Sequence, residues 1–356
     1  MSATNQSVVR IAKICTIILD TGERTTKVCM DINDIARRAG VSRATVSRYL
    51  NNGYVSQEKR RQIQLVIDET GYVPSQNARQ LRTGKTRLVG VIIPKINSQS
   101  VSRMVAGITD RLAENNYQVV LANTNNDCQT EVSYINLFSG RKHVDGLILI
   151  GTVFTPAHLE AIQRLRMPFV VLGQRLDGYP SVYHNDYAAM HSLVSSIAPQ
   201  ITTPGYLGVL EEDIAAGEHR RLGFQDACKE AGIHVRPEAL LQVQFTSDAG
   251  YFGAEQLLDT IEGLDSIICA TDDIAFGAMM CMREYGKRVP EDVQITGFGD
   301  SMLSRIIHPS LTTVHLAYKT SGEHAAQLLI RQFKNKDLKT DEEVMSFDIH
   351  LRNTTR

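Results

Sequence analysis

The sequence predicts an all-α helix-turn-helix head followed by an α/β core of two lobes, each lobe built on a doubly wound parallel sheet. Short amphipathic stretches punctuated by Gly40, Gly53 and Gly71 begin at Asp31, and from Leu88 onward apolar runs alternate with longer amphipathic ones. Charge divides the same way. Between Asp31 and Arg87 eleven lysines and arginines face five acids, a balance of +6; residues 1–30 add +2, so a total of −1 leaves −9 for the rest. A basic head on an acidic body points to a polyanion met by the head alone.

Residues 1–30 read as a leader or disordered arm. They lack the small-residue-terminated design of a signal peptide, although Val8 to Leu19 is fairly apolar. Met30 stands directly before a helical pattern and is expected to be the initiator, a native N-terminal arm being the rival reading. Residues 31–74 form the helical head. Ile32, Ile35 and Ala36 make an apolar stripe closed by Ala39-Gly40; Ser42 caps a second helix from Arg43 to Leu50, stopped at Asn51-Asn52-Gly53; Ser56 caps a third, carrying Ile63, Val66 and Ile67, that ends at Gly71. Residues 75–87 are a short helix-capable stretch and linker.

Residues 88–356 form the core. Strands are expected at Leu88 to Pro94, Gln118 to Ala122, Gly146 to Ile150, Phe169 to Leu172, Tyr206 to Leu210, Ser266 to Ala270, Gln294 to Gly297 and Leu311 to Val314, with helices between them. So many strands exceed one comfortable sheet, hence two lobes. No apolar run approaches the roughly 20 residues a bilayer needs, so no membrane association is expected. The six cysteines are scattered, without a CxxC pair or a neighbouring histidine cluster; no metal site or disulfide is expected, and the usage fits a reducing cytoplasm. GxGxxG, GxxxxGK[ST], GxSxG and HExxH are all absent, and nothing pairs His143, His184 or His219 with a nucleophile. The chain is therefore expected to have no catalytic residues, no cofactor and no enzymatic activity.

The second head helix has the proportions of one that lies in a DNA major groove. Arg43 and Arg48 are donors for guanine edges or phosphates, Thr45 and Ser47 are short hydroxyl donors, and Ala44 offers a methyl-sized surface to thymine; Val41 and Val46 read as core. Any small helical bundle also has arginines on its solvent face, so these residues alone leave two readings open.

The run from Ile32 to Asn51, INDIARRAGVSRATVSRYLN, closely resembles the head of the lactose/galactose-repressor (LacI/GalR) family. Gly71-Tyr72-Val73-Pro74 with Asn77-Ala78-Arg79-Gln80-Leu81 resembles its hinge, and the likeness continues through the core. It implies a transcription regulator that represses a carbohydrate-utilisation operon. Arg43, Ala44 and Arg48 would face base edges, and Ser42, Thr45, Ser47 and Asn51 would position the helix on the backbone. Ala78 and Leu81 would enter the minor groove, Leu81 as an apolar wedge. The partners implied are a double-stranded DNA operator of approximate two-fold symmetry, a second copy of the chain in a homodimer, and a sugar or sugar-phosphate effector.

By the same resemblance the core is laid out like periplasmic sugar-binding proteins, with a ligand cleft at strand ends between the lobes. Residues 88 to about 173 and 313 to 338 fall in the first lobe, the remainder in the second. The segment His219 to Phe224 resembles the stretch whose arginine holds the effector, selecting Arg220; a surface ion pair is the other reading. Thr271 and Asp272 follow a strand at a position where the family places polar ligand groups, though Asp272 also reads as a helix cap. Lys95 and Gln99 lie at the cleft mouth, Lys95 being equally an exposed loop lysine. At Gly299 the commoner pattern carries an aspartate, which leaves Asp300 to take over that contact or a phosphorylated ligand to replace it. Gly299-Asp300-Ser301 and Pro309 to Val314 are similar to sucrose-operon repressors of this family.

Overall fold

The computed structural model describes residues 30–51, 53–72, 85–140, 143–335 and 341–356. The chain divides into two units, one ending at Lys85 and one running from Thr86 to Arg356.

The first unit holds three helices, α1 (Ile32–Arg38), α2 (Arg43–Leu50) and α3 (Gln57–Thr70). Asp31 caps α1 through a box with Asp34, its side chain accepting from the Asn33 and Asp34 amides while Asp34 accepts from the Asp31 amide. Gly71, at φ 61°, ends α3 in the left-handed region. Ser56 is the N-cap of α3 but makes no side-chain capping bond, unlike Ser42 on α2. Ile35, Val46 and Ile63, one from each helix, are fully buried at the centre, with Met30, Tyr49 and Tyr72 packed around them.

The second unit contains two six-stranded sheets. In the first the order is β2 (Gln118–Asn123), β1 (Leu88–Ile93), β3 (Gly146–Ile150), β4 (Phe169–Gly173), β5 (Ser181–His184) and β11 (Glu342–Met345), every neighbour parallel. In the second it is β7 (Leu240–Gln242), β6 (Pro204–Gly208), β8 (Ser266–Cys269), β9 (Gln294–Phe298), β10 (Thr312–Leu316) and β12 (Phe347–His350), parallel except for β10 with β12. Period-two alternation sends Val89, Val91 and Ile93 to one face of the first sheet and Ile92 to the other, each into its own apolar cluster.

Helices α4 (Gln99–Glu114), α5 (Cys128–Ser139), α6 (Pro156–Gln163) and α12 (Tyr318–Lys334) cover the first sheet. Helices α7 (Asp186–Ile197), α8 (Arg220–Glu230), α9 (Ser247–Thr260) and α10 (Asp272–Glu284) cover the second, and the short α11 (Met302–Ile306) follows β9. Helices α4 and α12 cross at a pair of glycines. A Cβ on Gly107 would lie 2.0 Å from the Lys319 carbonyl oxygen and one on Gly322 would lie 2.1 Å from that of Met104, so the backbones meet where only hydrogen fits.

The lobe boundaries differ from the sequence-based expectation. β5 belongs to the first sheet and β10 to the second, so the chain changes lobe after His184, after Leu316 and again after Met345. The cause is local: Ser-Val-Tyr-His has no extended apolar run, and β10 is consecutive with β9 in the same sheet, so the crossover waits for α12.

Candidate functional site

In the first unit, Ser42 caps α2: its Oγ accepts from the Thr45 amide at 3.2 Å and hydrogen-bonds the Thr45 hydroxyl at 2.9 Å. At the other end the Asn51 side-chain amide donates to the Ser47 carbonyl. Between these ends Val46 points into the core while Arg43, Ala44 and Arg48 are exposed. The α2 surface thus presents two cations and no acid. Tyr49 ties α2 to α3 by donating to Gln64, and the Arg60 guanidinium lies 5.3 Å from the Tyr49 ring centre. The expected hinge contacts Ala78 and Leu81 lie outside the described residues.

In the second unit a cavity of about 220 Å³ opens at the carboxyl ends of both sheets. Lys95, Gln99, Arg220, Thr271 and Asp272 all line it. Arg220 opens α8 directly after a single π-helical stretch, Ile214–His219, a distortion often found at functional sites. Its Nε donates to Asp186 Oδ1 at 2.7 Å, its Nη1 to the Ala270 carbonyl at 2.6 Å, and Nη2 lies 2.6 Å from the same Asp186 oxygen. The ring of Phe298 lies 3.8 Å beneath the guanidinium. Five N–H donors less these three leave two for a ligand. Arg220 is therefore buried in an ion pair inside the cavity rather than on the surface.

Thr271, not Asp272, is the N-cap of α10, accepting from the Ile274 amide at 3.3 Å. Asp272 is the first helical residue; its carboxylate accepts from the Ser301 amide and the Thr313 hydroxyl, both at 2.6 Å, while burial pushes its pKa up. Asp300 does not line the cavity. Held at φ 45°, its buried carboxylate is taken by Arg305, Arg352, His315 and Ser304. It therefore does not stand where Gly299 leaves space; Gly299 lines the cavity itself at φ 133°.

The structure adds wall residues that the sequence did not place in the cavity, His184 having been noted only as a histidine without a nucleophile. His184, at the end of β5, is buried with no partner on Nε2; burial, then Arg220, lowers its pKa to about 4, so the imidazole is neutral near pH 7. Asp213 accepts from the Ala216 amide, and burial pushes its carboxyl up to about 6. Arg103 of α4 donates to the carbonyls of Gly299, Asp300 and Leu316 at 3.1–3.3 Å and lies over the Tyr318 ring, joining the first lobe to the ends of β9 and β10. Asn185-Asp186 was legible as a helix start, since Asn185 caps α7; Arg103 carried no such signal, because its partners lie about 200 positions away.

Comparison with known proteins bears on both units. Residues 31–75 match the family model described as bacterial regulatory proteins, lacI family, and residues 198–355 match the periplasmic binding protein-like domain. The chain is 31% identical to the HTH-type transcriptional regulator RegA of Clostridium saccharobutylicum, over 91% of this chain and 98% of that one. It is 33% identical to the sucrose operon repressor of Staphylococcus xylosus, over 86% and 94%. Among solved structures, the lac repressor dimer bound to operator and the anti-inducer ONPF superposes with a TM-score of 0.83 at 21% identity, over 92% and 99%.

Proposed function

The chain belongs to the lacI family of bacterial regulatory proteins and is a DNA-binding transcription regulator, and from this premise we propose that it represses a carbohydrate-utilisation operon under the control of a neutral sugar. The observation that carries the choice of ligand is the charge of the cavity. Asp186, Asp213, Asp272 and Asp273 outnumber Lys95, Arg103 and Arg220, and His184 adds no charge. Arg220 is already committed to Asp186, and Arg103 to backbone carbonyls. A phosphate would meet one uncommitted cation, Lys95, among the acids, whereas hydroxyl groups match donors and acceptors of both kinds. Similarity to the sucrose operon repressor points the same way.

In this reading Arg43, Ala44 and Arg48 read base edges, Ser42, Thr45, Ser47 and Asn51 position the helix, and Ala78 and Leu81 contact the minor groove. Lys95, Gln99, Arg220, Thr271 and Asp272 surround the effector, joined by His184. Asp300 supports the wall from behind. The molecule works as a homodimer on a two-fold operator and acts by binding rather than catalysis. Cys128, Cys228, Cys269 and Cys281 are free thiols, which suits a cytoplasmic protein; no described helix is long and apolar enough to cross a membrane.

Two measurements on the full chain test the proposal. Selection from a random duplex library should return a site with two-fold symmetry, and a thermal-shift panel of sugars and sugar phosphates should show saturable stabilisation by a neutral sugar. Selected sites without symmetry would defeat the dimeric reading, and a response confined to phosphorylated sugars would defeat the neutral-sugar one.

A further inference from the structure

We propose that Asp300, His315 and His350 form a binding site for a transition-metal dication of borderline softness, with Zn²⁺ as the probe. Asp300 Oδ2 lies 2.9 Å from His315 Nδ1 and 3.9 Å from His350 Nε2, and the three atoms lie within 4.8 Å of one another. A tetrahedral zinc with bonds of about 2.0–2.1 Å sets its ligand atoms roughly 3.3 Å apart, so side-chain shifts of less than about an ångström close the set. Among the described residues no other group of this kind comes together as closely.

The fold builds this arrangement from backbone register. In the antiparallel β10–β12 ladder Thr313 faces His350 and His315 faces Asp348, which puts both histidines on one side of the pair as diagonal neighbours. Their side chains are 27% and 40% exposed, so an ion reaches them from water. The Asp300 carboxylate is fully buried, and Arg352, 16% exposed, holds its other oxygen, Oδ1, at 2.5 Å. A carboxylate oriented by a second hydrogen-bonding partner is the usual support of a metal ligand. Water or the exposed Asp348 is available to complete four-coordination.

Arg305 is the competitor. It sits on Oδ2, but its side chain is 58% exposed, so solvent is available to it once an ion takes over the carboxylate. Two arginines around one carboxylate oppose a dication, so affinity is set by how readily Arg305 leaves. Occupancy would clamp β10, β12 and the loop after β9, whose Gly299 and Asp300 carbonyls receive Arg103.

Calorimetric titration of the chelator-treated full chain with Zn²⁺ should give one site per chain and a raised melting temperature. His315→Gln and His350→Gln, each expected to fold, should weaken binding at least tenfold, whereas Arg305→Ala should tighten it by roughly tenfold, because a like charge within about 5 Å is removed. Co²⁺ in its place should develop the visible absorption of a tetrahedral site. Zn²⁺ binding equal in wild type and both glutamine variants, or weakened by Arg305→Ala, overturns the proposal.

Discussion

At the scale of single residues, charge and burial make opposite demands in the two units. Arg43 is exposed at the start of a helix with no acid of its own, so its loss costs folding little; Arg43→Ala should weaken operator binding by about 1–3 kcal/mol, roughly 5- to 150-fold, and relax preference at one base pair. Fluorescence anisotropy at fixed salt reads both effects; an equal loss on every sequence would make Arg43 a phosphate contact instead. In the cavity, His184 and Asp213 titrate with opposite signs. The folded pKa of His184 is depressed to about 4, so its stability is intact above the unfolded value of 6.5 and drains away as pH falls toward 4. The folded pKa of Asp213 is raised to about 6, so its favourable contribution is complete below 3.8 and is lost as pH rises through 6. The two partly cancel between pH 4 and 6. His184→Gln should flatten the acid-side fall in melting temperature and Asp213→Asn should steepen it; parallel profiles for both variants and wild type would refute the assignment.

At the scale of elements, long buried strands were readable and short edge strands were not. Leu88–Ile93 and Gly146–Ile150 are covered on both faces and spell continuous apolar runs. β7, β11 and β12 lie at sheet edges, and Glu-Glu-Val-Met keeps only Met345 buried, so no periodicity marks it. Arg220, Thr271 and Asp272 were picked out by the family resemblance, and the structure places each at a strand end or helix start on the cavity wall, where parallel sheets gather ligand groups. Asp300, expected to replace the aspartate that the commoner pattern carries at Gly299, does not reach the cavity, because its positive φ turns the carboxylate toward Arg305 and Arg352. The glycine pair between α4 and α12 gives this scale its own test. Gly107→Ala drives a methyl against the Lys319 carbonyl in a contact of helix backbones that cannot yield by rotamer change. It should cost about 3 kcal/mol, at the upper end for overpacking. For a unit of this size that amounts to roughly 5–10 °C of melting temperature by circular dichroism.

At the scale of the whole molecule, the two binding activities must be linked by a free energy that reads the same from either side. If the effector changes operator affinity a hundredfold, in either direction, the coupling is about 2.7 kcal/mol, and saturating operator must change effector affinity by the same factor. Within the core, Arg103 on α4 of one lobe donates to three carbonyls at the ends of β9 and β10 of the other, and we propose that this contact carries part of the coupling. Arg103→Ala leaves Arg220 and the α2 surface untouched, so operator should bind as before; because Arg103 also lines the cavity, effector affinity should fall in its own right, and the coupling is read as a ratio within each protein. What should shrink is the factor by which one alters the other, from a hundredfold toward unity. Measuring effector affinity by calorimetry with and without operator, in wild type and variant, separates these outcomes: an unchanged factor would show that the coupling runs through other contacts. Performed across ionic strength, the same series isolates the phosphate contribution, since the slope of affinity on salt belongs to the head's cations and should be identical in both proteins.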